Sequence, residues 1–190
     1  MLYRKLVIRV ALAAVAGLGI ATTGWAGTQT SNVTVTAKVV SSCTISTTTQ
    51  LAFGAYDPTS GSALTGNGAV TVTCTKGSNA VTLGVDNGQH YTSAATYPTD
   101  RSMAGAVGGD YLAYELFQPT ATGSTATATG TAFGTSGTGL FSIPATAFAT
   151  GATGVIVNIF GSIPASQDVT GQSGPGGNAY TDQVVATVSF

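Results

Sequence analysis

The sequence predicts an all-β protein folded as a β-sandwich, on three observations. Short runs with an apolar residue at every second position recur along the chain. Stretches rich in Gly, Thr, Ala and Ser separate them as turns, and beyond residue 26 no segment repeats its apolar residues at the helical period. Charged residues make up only 7% of the chain, against about a quarter in ordinary globular proteins. This is not a disordered composition, which combines low hydrophobicity with high charge.

The elements follow in chain order. Arg4, Lys5 and Arg9 precede an apolar and small-residue run from Val10 to Ala21, and Gly24-Trp25-Ala26 sets small residues at the two positions a signal peptidase inspects. Residues 1–26 are therefore expected to be an export signal cleaved after Ala26; the apolar run falls short of the roughly 20 residues that would anchor it across a bilayer. What remains is about 160 residues, a comfortable length for one domain. Three bases, Lys38, Lys76 and Arg101, then face seven acids, and no basic patch is left to hold a nucleic acid.

From Asn32 to Val40 the chain alternates, with Val33, Val35, Ala37 and Val39 on one face and Thr34, Thr36 and Lys38 on the other, a half-buried strand by pattern. Cys43 and Cys74 both lie in the exported part, where an oxidising compartment favours pairing over two free thiols. A bond between them would close a loop of about 31 residues and restrict the unfolded chain by about 3.5 kcal/mol. Ala69 to Thr75 is a second strand whose Val70, Val72 and Cys74 share one face, turning the thiol inward. Val81, Leu83 and Val85 form a third, stopped by the turn residues Asp86-Asn87-Gly88. Leu112, Tyr114 and Leu116 mark another, with Glu115 expected on its solvated face.

Pro119 to Gly139 is nearly all Thr, Ala, Gly and Ser. It is too long for a routine hairpin loop and too polar for core, so it is expected to be a surface excursion or an irregular hairpin. Phe141, Ile143 and Ala145 continue the strand pattern, as do Val155, Val157 and Ile159. A turn-rich stretch, Gln172 to Gly177, precedes a last strand with Val184, Ala186, Val188 and Phe190 on one face against Val185, Thr187 and Ser189.

Chemistry is scarce. One histidine, His90, follows a turn, with no nucleophile beside it in a recognisable pattern. The acids are scattered singly, offering no carboxylate pair for glycoside cleavage. Asp86, Asp100 and Asp110 fall in loops but match no calcium-loop pattern. No catalytic residue, metal ligand or cofactor is assigned, and function is expected to lie in a surface that binds other proteins.

These residues resemble the spore coat protein U domain family, which includes major subunits of archaic chaperone-usher pili. The landmarks run in order: an N-terminal extension before Cys43, Leu51-Ala52-Phe53-Gly54-Ala55-Tyr56-Asp57, Val72-Thr73-Cys74, an Arg101-Ser102-Met103 turn, Leu112 to Phe117, Phe160-Gly161-Ser162-Ile163-Pro164, and the tail Ala179 to Phe190. The resemblance implies an immunoglobulin-like sandwich that is incomplete in its own chain and completed by a donor strand from a neighbouring subunit. Residues 27–42 would be the donor extension, presenting Val33, Val35, Ala37 and Val39, and 43–190 the pilin body. The C-terminal strand, Val184 to Phe190, would meet a periplasmic chaperone. Implied partners are identical or related pilin subunits, that chaperone and an outer-membrane usher. The implied product is a fibre at the cell surface serving adhesion and biofilm formation. A secreted spore or cell coat protein of the same fold is the alternative, and a lectin-like module using Tyr91, Tyr97, Tyr111 and Tyr180 is a third.

Overall fold

The computed structural model describes residues 27–91, 101–107, 109–127, 130–171, 177 and 179–190. The expected leader, with Tyr97, Asp100 and most of the turn at 172–177, lies outside them. The chain divides into two units, Met1–Lys38 and Val39–Phe190. In the first, residues 27–38 form no strand and are exposed throughout. The strand expected from Asn32 to Val40 is thus not formed. Alternation prepares a strand, but only a backbone ladder makes one, and no ladder runs along this segment.

The second unit is all-β. Its strands are β1 (Cys43–Thr49), β2 (Leu64–Cys74), β3 (Val81–Val85), β4 (Arg101–Gly105), β5 (Tyr111–Phe117), β6 (Phe141–Ile143), β7 (Gly154–Ile163), β8 (Tyr180–Thr181) and β9 (Ala186–Ser189). They build two antiparallel sheets, one in the order β1-β2-β7-β5-β4-β8 and one in the order β6-β3-β9. The longest ladder joins β2 to β7, from Leu64 opposite Ile163 to Thr73 opposite Gly154. Alternation then does what the sequence led one to expect: Val70, Val72 and Cys74 of β2, Val81, Leu83 and Val85 of β3, and Val157 of β7 are all buried in one core between the sheets. The turn after β3 passes through Gly88 at φ +84°, a conformation glycine adopts without strain.

Four expectations are corrected. The Arg101-Ser102-Met103 turn is instead the start of β4, paired with Tyr114, Ala113 and Leu112 of β5. Glu115, placed on a solvated face, is completely buried, because β5 is interior to its sheet and carries cover on both faces. The stretch from Pro119 to Gly139 is the irregular hairpin, with antiparallel bridges Phe117 to Ala132 and Pro119 to Ala126, but it is not too polar for core: Ala126 and Phe133 are buried, and the Phe133 amide donates to the Leu116 carbonyl at 2.8 Å. Ala145 does not prolong β6 but opens a 3-10 turn, Ala145–Phe148, just after Pro144, which has no amide hydrogen to give a ladder.

Candidate functional site

β1 and β9 each stand at the end of their sheet, and they approach one another across the open side of the sandwich. A groove of about 570 Å³ lies there. Ile45, Thr47, Leu51 and Phe53 line one side and Asp182 to Ala186 the other, over a floor of Val70, Met103, Tyr114, Leu116 and Ile159. An apolar floor between two sheet edges with free ladder positions is the shape of a missing strand.

The first wall is seated on bare backbone. Gly66 and Gly68 face inward on β2, and Gly66 lies opposite Gly161 of β7. A Cβ on Gly161 would come within 2.6 Å of the Phe53 ring, one on Gly68 within 2.9 Å of Leu51, and one on Gly66 within 3.0 Å of the Ala52 carbonyl. Glycine inside a strand weakens it but admits a close approach, and these three admit Leu51-Ala52-Phe53. The Phe53 ring then meets Tyr114 edge-on at 6.1 Å.

The second wall is fastened by polar groups. Asp182 accepts the Tyr114 hydroxyl at 2.6 Å and the backbone amides of Gln89 and His90 at 2.9 and 3.3 Å. Burial, then the hydrogen bond to Asp182, pushes the Tyr114 phenol far above the ordinary tyrosine range. Asp86 accepts the Gly88 and Val185 amides at 3.0 and 2.9 Å, and its own amide donates to the Val185 carbonyl at 3.0 Å. Beneath, Arg101 donates to the carbonyls of Val85, Asp86 and Phe133 and pairs with Glu115.

The residues singled out from sequence fall as follows. Cys43 and Cys74 are opposite one another in the β1–β2 ladder and joined by a disulfide. Val184, Ala186 and Val188 are half-buried against the core, whereas Phe190, expected on the same inward face, is 57% exposed, since β9 ends at Ser189 and nothing covers the last residue. Val33, Val35 and Val39 are 83, 88 and 88% exposed, and Ala37 is exposed too. No group of three metal-ligating side chains occurs among the described residues. Tyr91 and Tyr111 are half exposed, while the Tyr180 hydroxyl donates to the Thr170 carbonyl. Sequence reasoning missed Asp182, Tyr114 and the Leu51 and Phe53 wall as parts of a site. The inward glycines at 66 and 68 are the one signal that could have pointed there.

Three similarities to known proteins complete the description. A family model, the Spore Coat Protein U domain, matches residues 29–187. The chain is 36% identical over 178 residues to Protein U of Myxococcus xanthus, covering 87% of each. Among solved structures it is similar to the crystal structure of the CsuC-CsuE chaperone-tip adhesion subunit pre-assembly complex from archaic chaperone-usher Csu pili of Acinetobacter baumannii. That likeness has 17% identity and a TM-score of 0.45, and covers 80% of this chain but 40% of that one.

Proposed function

The chain belongs to the Spore Coat Protein U domain family, and on that premise we propose that it is a structural subunit of an extracellular fibre assembled by donor-strand exchange. The observation that carries the reading is a complementarity. A groove with an apolar floor lies open between the edges of β1 and β9, and an alternating segment bearing Val33, Val35, Ala37 and Val39 stands exposed and unladdered ahead of the body. Each valine buried in a neighbour's groove would contribute about 1.5–3 kcal/mol, and a strand laid along β9 would occupy an edge otherwise open to aggregation.

In this reading residues 1–26 direct export, 27–42 are the donor and 43–190 the acceptor body. A periplasmic chaperone shields the groove in transit, with the C-terminal strand as its contact, and an outer-membrane usher exchanges that strand for the donor of the next subunit. The fibre lies at the cell surface and serves adhesion and biofilm formation. The family's description supports a second reading, a secreted spore or cell coat protein of the same fold that does not form a fibre.

Size-exclusion chromatography of four forms separates the two. The exported chain should form polymers, and a form lacking Gly27 to Lys38 should not. The same segment moved behind Phe190 on a short flexible linker should give a stable monomer, since tethering raises its effective concentration. Val35→Asp should behave like the deletion. High-mass polymers from the deleted form, or a stable monomer from the unaltered exported chain without a chaperone, would leave the coat protein as the reading.

A further inference from the structure

The C-terminal wall of the groove is held in an unusual way. β8 is two residues long and β9 begins only at Ala186, so Asp182 to Val185 passes from one sheet to the other outside any strand. Among the described residues, its hydrogen bonds run to the turn after β3 and to the groove floor. Asp182 takes the Gln89 and His90 amides and the Tyr114 hydroxyl, Gln183 accepts the Gln89 side-chain amide at 2.8 Å, and Val185 exchanges bonds with Asp86. The turn is itself pinned from the far side, where Arg101 donates to the carbonyls of Val85 and Asp86. Gly88 makes room for the carboxylate: a Cβ there would collide with it.

The apolar side chains that face one another across the open groove, Leu51 and Phe53 on one side and Val184 and Ala186 on the other, are drawn together, because closure removes apolar surface from water. A wall with no ladder of its own has little backbone pairing to resist that collapse. Here collapse would have to pull Asp182 from three donors and strand the hydroxyl of Tyr114, whose residue is 4% exposed, at a cost in unpaired buried polar groups.

We infer that Asp182 is a positioning residue for strand uptake: by gripping Tyr114 and the Gln89 and His90 amides together it holds residues 182–185 back and keeps the groove open to the apolar strand of a second copy of this chain. The inference rests on the donor-strand reading above. Preorganisation of this kind acts on entry, while exit is governed by contacts the bound strand makes with the floor.

The test measures the two rates separately. The full exported chain, freshly refolded, is mixed with a fluorescently labelled peptide of residues 28–41, and association and displacement are followed by anisotropy. Tyr114→Phe keeps the ring and removes only the hydroxyl; Gly88→Ala dislodges the carboxylate from the opposite side. Each should slow association about tenfold and leave dissociation within about twofold of the unaltered chain. A merely structural role would lower the folded fraction but not the association rate of the molecules that fold. Association as fast in both variants as in the unaltered chain overturns the clasp and leaves strand exchange standing. No peptide binding by an unaltered chain that also stays monomeric overturns strand exchange, and the clasp with it.

Discussion

Arg101 Nη1 lies 2.6 Å from Glu115 Oε1, and both side chains are shut off from solvent. The pair sits where β5 changes partners, from β4 along Tyr111 to Tyr114 to the Thr131–Phe133 backbone beyond. Removing one charge from such a site leaves the other buried and uncompensated. Glu115→Ala should therefore cost about 3–5 kcal/mol, read as a lowered urea midpoint. Replacing both, Arg101→Met with Glu115→Leu, should be less harmful than Glu115→Ala alone. An unchanged midpoint for Glu115→Ala would mean the pair is idle.

The disulfide spans 31 residues of sequence, and its loss should remove about 3.5 kcal/mol through the unfolded chain. Cys74→Ser should sharply reduce the yield of exported protein. Mass spectrometry of unreduced protein should find no alkylatable thiol; two would contradict the pairing.

Tyr114 gives the fold an alkaline limit. Its phenol is raised above the ordinary value near 10 chiefly by burial, then by its bond to Asp182. Above that pH the unfolded chain gives up a proton the folded chain retains. Stability is thus complete below about pH 10 and declines above it by up to about 1.4 kcal/mol per pH unit. Denaturation midpoints from pH 8 to 11 should show the decline, and Tyr114→Phe should flatten it. An equal decline in Tyr114→Phe would assign it to other groups.

Val188 pairs with Leu83 and packs on the core. Val188→Asp places a carboxylate against that interior, at a cost of several kcal/mol unless it stays protonated. Immunoblots of periplasmic extract should show degradation. Normal accumulation would mean that the inward face of β9 tolerates a charge.

The sandwich was legible because its strands write their burial as alternation: β3 and the alternating parts of β2 and β7 fell where period 2 placed them, although β2 begins at Leu64, five residues before the alternation. Glu115 was not, because alternation reports which face a residue takes and not whether that face is covered, and β5 is covered on both. Arg101 was read as turn only as a landmark of the family resemblance, and its place in β4 could not be seen from sequence because its counterion, 14 positions away, is brought beside it only by folding. Phe133 was hidden in a composition dominated by small polar residues. At the site, the pattern marked the inward face of Val184, Ala186 and Val188, while the strand it led one to expect around Val33, Val35 and Val39 is not formed. The walls did not, because Asp182 and Tyr114 are 68 positions apart and only the fold joins them.

Cys43 is the first residue of β1, and Ser42 just before it exchanges bonds with Thr75, next to Cys74. A pull on the N-terminal extension therefore enters the body at the one point where β1 is covalently tied to β2. Tension passes through the sulfur bridge into Cys74, at the end of the β2–β7 ladder, and bypasses β1. The hydrogen bonds of β1 are left unloaded and cannot be peeled open one after another from that end. In a fibre of the kind proposed, the same cross-link that stabilises folding would also act as a mechanical bypass, carrying a pull on the extension past β1 to the end of the β2–β7 ladder.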